Sequence, residues 1–361
     1  MSGIWGRNIK VSIFGESHGS AIGVTIDGLP SGLELDIDEI KREMKRRAPG
    51  RNLLSTQRDE KDEFEILSGY FNEKTTGTPL AAIIRNKDEH SKDYSEIKSK
   101  MRPSHADYTG KVRYSGFNDY RGGGHFSGRI TAPLLFAGAI ARQILRLKGI
   151  VIGSHILSIG KISEDSFDLT KIESETLNDL STMDFPVVSH EKGEAMKEAI
   201  LTAKENHDSL GGIIETAVIN LKPGIGSPFF DSVESTLAGL LFSVPGVKGV
   251  EFGLGFDISA MEGSSANDEM YVEDNKIKTY TNNNGGILGG ITNGMPVVFR
   301  TAFKPTASIS KKQQTVDIEK MDNTILEIKG RHDPCIVQRA VPVVDAVTAL
   351  GLLDLLMEAK I

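Results

Sequence analysis

Four of the eight histidines, His18, His105, His125 and His332, lie in short segments that combine glycine or other small residues with a cation. The segments are FGESHG (14–19), RRAPGR (46–51), RPSHADYTG (102–110), NDYRGGGHFSGR (118–129), NNNGGILGG (282–290), FKPTAS (303–308) and GRHDPC (330–335). Imidazole titrates near neutrality, so histidines placed in loops suit proton transfer. Arg46, Arg47, Arg51, Arg102, Arg121, Arg129, Lys304 and Arg331 occupy the same segments, and guanidinium forks match phosphate and carboxylate. Glycine lets backbone N–H groups approach such an anion closely. Asp333 adjoins His332 and Arg331; beside a guanidinium a carboxylate stays ionised and accepts a proton only where its surroundings raise its pKa. Each residue taken singly also has a plain role as loop, cap or surface group. The Arg331–Asp333 neighbourhood reads equally as a structural pair at a helix start, with Pro334 at the first helical position.

Two rival chemistries can be weighed from spacing. FGESHG contains G-x-S-x-G, the pattern of a hydrolase nucleophile elbow, which requires a strand before Ser17 and a helix directly after it. Lys10–Phe14 reads as the strand, but residues 20–30 are β-branched, glycine-broken and turn-terminated, which predicts a second strand. The elbow context fails, and His18 becomes the residue to explain. No His-x-x-x-His or HExxH spacing occurs, so no metal site is expected.

The chain has 361 residues, 39% hydrophobic and 25% charged, a globular composition. Its 42 basic and 49 acidic residues leave a net charge of -7, which gives no nucleic-acid footprint. An anionic ligand must therefore be held by a local cluster of cations against the global field. Cys335 is the only cysteine, which excludes an intrachain disulfide and points to a cytoplasmic setting. The N-terminus lacks signal-peptide features, and no uninterrupted apolar run approaches the roughly 20 residues of a membrane span, so no membrane association is expected.

These loops must be carried by regular elements. Residues 36–47 place Ile37, Ile40 and Met44 on one helical stripe, stopped by Ala48-Pro49-Gly50. Residues 131–148 form an almost wholly apolar helix, to be buried, with Pro133 near its start. Further helices are predicted at 189–205, from Asp231 under an Asp-x-x-Glu capping signature to Pro245, and at 340–359. Strands are predicted at 212–221, 249–256 and 295–303. A strand-turn-helix unit at 22–47 parallels one at 213–244, so a weak internal duplication and chance are both open. The acidic, Ser- and Thr-rich tract 162–188 alone looks inserted and mobile. The expectation is one α+β domain over residues 1–361.

The residues alone lead to a cationic, glycine-walled pocket for phosphorylated ligands and do not name the reaction. GESHG (15–19), RPSHADYT (102–109), DYRGGG (119–124), GVKGVEFG (246–253), GGILGG (285–290), KPTAS (304–308) and GRHDPC (330–335) resemble, in the same order, the motifs of the chorismate synthase family. The resemblance implies a lyase that converts 5-enolpyruvylshikimate 3-phosphate to chorismate by net anti 1,4-elimination of the C3 phosphate and a C6 hydrogen, with reduced FMN required despite no net redox change. It implies a β-α-β sandwich with sheets packed around internal helices, and a homotetramer. His18 would act as general acid at the departing phosphate, His105 would lie against the reduced flavin, and Asp333 would work with flavin N5 in accepting the C6 proton. FMN contacts would come from His125, Phe126 and Ser127, from Pro245 and Gly246, from Gly289, from Lys304, Pro305, Thr306, Ala307 and Ser308, and from Arg331. Arg47 matches a family arginine linked to substrate or NADP binding; Arg46, Arg129 and Arg339 are added here as candidates for the substrate's carboxylates and phosphate. Two departures stand out: His125-Phe126-Ser127 where many relatives have Arg-Ser-Ser, and Leu53 where many have an arginine that Arg51 could replace. The length is that of members without an added flavin reductase segment, so an external reductase is expected to supply reduced FMN.

Overall fold

The computed structural model of the chain describes residues 3–50, 54–56, 61–86, 98–328 and 332–359. The β-branched runs form two five-stranded antiparallel sheets. The first has the order Ile4–Trp5, Lys10–Gly15, Ala21–Asp27, Leu80–Arg85, Phe64–Ser68. The second has the order Val247–Phe252, Val297–Phe303, Gly212–Ile219, Val151–Ile159, Ile162–Ser163.

The apolar helices Thr131–Leu147 and Val337–Ala359 fill the space between the sheets, the former against the first sheet and the latter against the second. Their apolar faces and the inner faces of both sheets merge into one core. Gly138 lets the two helices touch, because a Cβ there would collide with Ala346. This is the expected β-α-β sandwich of the α+β class. On length and composition Gly128–Leu147, which adds the preceding 3-10 turn to the first helix, and Val337–Ala359 could cross a membrane, unlike the reading from uninterrupted runs, but 83% and 94% of their apolar windows is buried inside the protein.

The two strand-turn-helix units occupy matching places. Ile37–Arg47 packs on Thr131–Leu147, and Val233–Ser243 packs on Val337–Ala359. Asp36 caps the first helix by accepting from the Glu39 N–H at 2.8 Å. The second differs from expectation: Ser232 is the cap, accepting from the Ser235 N–H at 2.9 Å, while Asp231 pairs with Arg7.

The tract 162–188, expected to be a mobile insertion, carries regular structure. Its helix Ser174–Thr182 buries Leu177 and Leu180 and covers the outer face of Val151–Ile159. Glu164 from this tract binds the buried His155 ring, whose far nitrogen meets Glu215 at 3.0 Å. That strand is thus buried on both faces, so its burial shows no alternation and its polar residues Ser154, His155 and Ser158 are buried with the apolar ones.

Candidate active site

The ends of the elements that carry the glycine-rich loops meet around one cavity of about 1230 Å³. His18 arrives on the turn between strands Lys10–Gly15 and Ala21–Asp27 and is buried. Arg47 closes the helix that Pro49 terminates. Arg129 precedes the first central helix, and Arg339 sits in the opening turn of the second. Lys304–Ser308 leaves the end of strand Val297–Phe303. His18, His105, His332, Asp333 and the cations Arg47, Arg102, Arg129, Lys304 and Arg339 all line the cavity, although up to 321 positions, from 18 to 339, separate them along the chain.

The triple glycine has a specific purpose beside His18. Gly122, Gly123 and Gly124 all have positive φ, and a Cβ on Gly122 would fall inside contact distance of His18 Cδ2 and Nε2 and 2.9 Å from Ser17 Oγ. The loop is stitched to the hairpin turn by the Ser17 N–H donating to Gly124 O at 3.2 Å. Ser17 Oγ donates to the carbonyls of Arg121 and Gly122 at 3.3 and 3.1 Å, and the chain continues into a strand, so no nucleophile elbow exists.

His105 Nε2 lies 3.2 Å from Ser308 Oγ. Burial first, then Arg102, with smaller pushes from Lys304 and His332 against the pull of Asp107, lowers its pKa to about 4. The ring is therefore neutral at physiological pH. Arg102 is held by a bidentate pair with Asp107, both contacts 2.7 Å. Lys304 Nζ donates to Ser104 O at 2.6 Å, and burial followed by Lys248 lowers its pKa. Asp333 is fixed by the Thr56 N–H at 2.8 Å and by Arg339 Nη1 at 2.5 Å, while Arg339 Nε donates to Arg47 O at 2.8 Å. Asp333 thus has an arginine partner six residues downstream; the helix opens at Val337, so Pro334 is not its first residue, and Arg331 of the predicted pair lies outside the described residues.

His125, Phe126, Ser127, Pro245, Gly246, Lys304, Pro305, Thr306, Ala307 and Ser308 also line the cavity. His125 Nδ1 is within 2.8 Å of Gly15 O, and Phe126 packs near Tyr114, with ring centroids 6.1 Å apart. The motif that departs from the common Arg-Ser-Ser is thus tied into the loop wall by its own side chains. Two expected residues stand elsewhere. Arg46 points to a separate cavity of about 600 Å³ on the other side of its helix and pairs with Glu43 at 2.9 Å, because consecutive helical residues face roughly 100° apart. Gly289 forms the tight turn between Ile287–Leu288 and Ile291–Thr292 and does not line the large cavity. Arg331, Arg51 and Leu53 lie outside the described residues.

Reasoning from sequence missed Asp62, which is fully buried and bonded to both Arg47 and Arg129. It lies in a run of charged residues, RDEKDEF, with no glycine or histidine beside it, so nothing local marked it.

The family model described as Chorismate synthase matches residues 9–357. A chorismate synthase of Thermococcus kodakarensis is 44% identical over 356 residues, covering 98% of both chains. One of Dehalococcoides mccartyi is 46% identical over 361 residues, covering 100% of this chain and 98% of the relative. A crystal structure of chorismate synthase superposes with a TM-score of 0.77 at 31% identity, over 98% of this chain and 93% of that one. The chain belongs to the chorismate synthase family, carbon–oxygen lyases that convert 5-enolpyruvylshikimate 3-phosphate to chorismate.

Proposed function

We propose that the large cavity holds the substrate and reduced FMN side by side, and that His18, His105 and Asp333 manage the protons of a net anti 1,4-elimination. The observation that carries this reading is the convergence of those three groups with Arg47, Arg102, Arg129, Lys304 and Arg339 on one cavity of about 1230 Å³. That volume exceeds the roughly 300–1,000 Å³ of a single small-ligand pocket. The donor set also suits two phosphorylated guests, since several cations are needed to offset the repulsion between them.

The fit to FMN rests on the wall formed by Pro245, Gly246 and Lys304–Ser308, where Gly246 has φ +99 and backbone groups are close to the cavity. When bound, reduced FMN would lend electron density that eases carbon–oxygen cleavage. His105, neutral and hydrogen-bonded to Ser308, would lie against the ring as a donor or acceptor; anionic guests would draw its pKa upward. His18, buried against Gly122, would deliver a proton to the departing phosphate. Asp333, aimed by Arg339 and Thr56, would receive the C6 proton. The C6–H pair becomes a ring double bond, the existing double bond shifts, and phosphate leaves with the C3–O electrons, so no net electron is consumed.

External supply of reduced FMN, a homotetramer and a cytoplasmic setting belong to the same reading, as does a role for Arg47 toward substrate or NADP. The exposed Phe229, Phe230 and Phe256 offer apolar surface for self-association. The test is an oxygen-free mixture of protein, substrate and chemically reduced FMN, which should yield chorismate and phosphate in equal amounts. Oxidised FMN should yield neither. Chorismate formation indifferent to the flavin's redox state would overturn the cofactor reading.

A further inference from the structure

Behind the cavity wall, Asp62 accepts from two different guanidinium groups at once. Its Oδ2 receives Arg47 Nε at 2.7 Å and Arg47 Nη2 at 2.5 Å, and its Oδ1 receives Arg129 Nη1. The carboxylate is fully buried, the two guanidiniums nearly so, and both arginines face the cavity while Asp62 does not. The outer contacts of each arginine are weaker: Arg47 Nη1 reaches Gly128 O and Thr131 Oγ1 at 3.4 Å, and Arg129 Nε reaches Asn86 Oδ1 at 3.1 Å. Asp62 also holds φ +51, a conformation that aspartate and asparagine tolerate better than most residues.

We infer that Asp62 is a positioning residue for substrate binding, fixing Arg47 and Arg129 as one rigid, doubly forked receptor for anionic groups of the substrate. This rests on the reading in which those arginines meet the substrate. Without a bridging carboxylate, two buried guanidiniums repel and turn apart. Removing the negative charge would by itself strengthen the pull on an anion. Geometry outweighs that gain, because bidentate recognition depends on the planar fork being held in place, and an asparagine would turn an amide N–H against one of its two partners. The substrate's carboxylates keep the same charge before and during bond cleavage, so holding them affects affinity rather than turnover.

The experiment is a double-mutant cycle of Asp62→Asn and Arg129→Gln, with KM and kcat for 5-enolpyruvylshikimate 3-phosphate measured under reduced FMN and Tm measured alongside. Asp62→Asn should raise KM about 10- to 100-fold and change kcat by no more than about threefold, and in the Arg129→Gln background it should add less than about threefold to KM. A purely structural role would lower apparent kcat with the folded fraction and leave KM in place. If Asp62→Asn alone fails to fold, Asp62→Asn/Arg129→Gln, which carries one buried cation fewer, is compared with Arg129→Gln. An unchanged KM in Asp62→Asn, or KM effects that multiply independently, would overturn the inference. A wild-type protein without lyase activity would instead sink the functional reading on which it rests.

Discussion

Gly122→Ala should damage turnover out of proportion to its effect on folding. The new methyl would lie closer than 3.0 Å to His18 Cδ2 and Nε2, with Ser17 Oγ 2.9 Å away. Restoring ordinary contact near 3.5 Å requires the ring to move by on the order of 1 Å. A displacement of that size at a group that must align with a leaving phosphate costs about 100-fold in rate. The neighbouring Gly123→Ala separates this effect from backbone strain. Gly123 has φ +87 and pays the same left-handed penalty of about 1–2 kcal/mol, but its methyl would meet only Ser127 Cβ at 3.8 Å and Arg102 Nη2 at 3.9 Å. Initial rates of chorismate formation under reduced FMN, with Tm for both variants, make the comparison. Equal activity losses in the two variants, or full activity in Gly122→Ala, would refute the claim that the loop fixes the His18 ring.

Ser17→Ala should retain activity within about threefold, and wild-type protein should resist fluorophosphonate labelling, since Ser17 Oγ donates to two carbonyls. His105, with a pKa lowered to about 4 by burial and Arg102, contributes stability that is present above about pH 6.5 and lost as pH falls toward 4. The fall in Tm between pH 7.5 and 5, values chosen to bracket that titration, should therefore be smaller in His105→Asn than in wild type; equal falls would contradict the assignment. His155 behaves oppositely: burial disfavours its charge, but hydrogen bonds to Glu164 and Glu215 outweigh burial and raise its pKa. Its contribution is complete below about pH 6.5 and lost as pH rises through the raised value. His155→Gln should cost about 3–5 kcal/mol below that pH by leaving two buried carboxylates with backbone donors but no cationic partner, and should flatten the alkaline decline in Tm. An alkaline decline identical to wild type would count against the pairing of His155 with Glu164 and Glu215.

The sequence made visible what is local and periodic. The stripe at Ile37, Ile40 and Met44, the apolar central helix and the strand after Ser17 all follow from spacing, because each buries one face or two against a known layer. Glycine clusters marked the loops that come together, since positive φ and close approach demand them. Partner choice was hidden. That Asp333 meets Arg339, and that Asp62 serves Arg47 and Arg129, depends on the ends of elements far apart in the chain. Arg46 shows the same limit: its neighbour Arg47 lines the large cavity, and one step along the helix turns it to another. The helix in 162–188 was obscured because its Ser, Thr, Asn and Asp residues have weak intrinsic helix propensity, whereas burial of Leu177 and Leu180 is tertiary.

A crystal structure of the protein with oxidised FMN and 5-enolpyruvylshikimate 3-phosphate tests most directly whether one cavity serves both guests. The flavin ring should lie along Lys304–Ser308 and His105, the substrate phosphate within hydrogen-bond reach of His18, and its ring C6 toward Asp333. Density for the two ligands in separate cavities, or a substrate phosphate remote from His18, would contradict it.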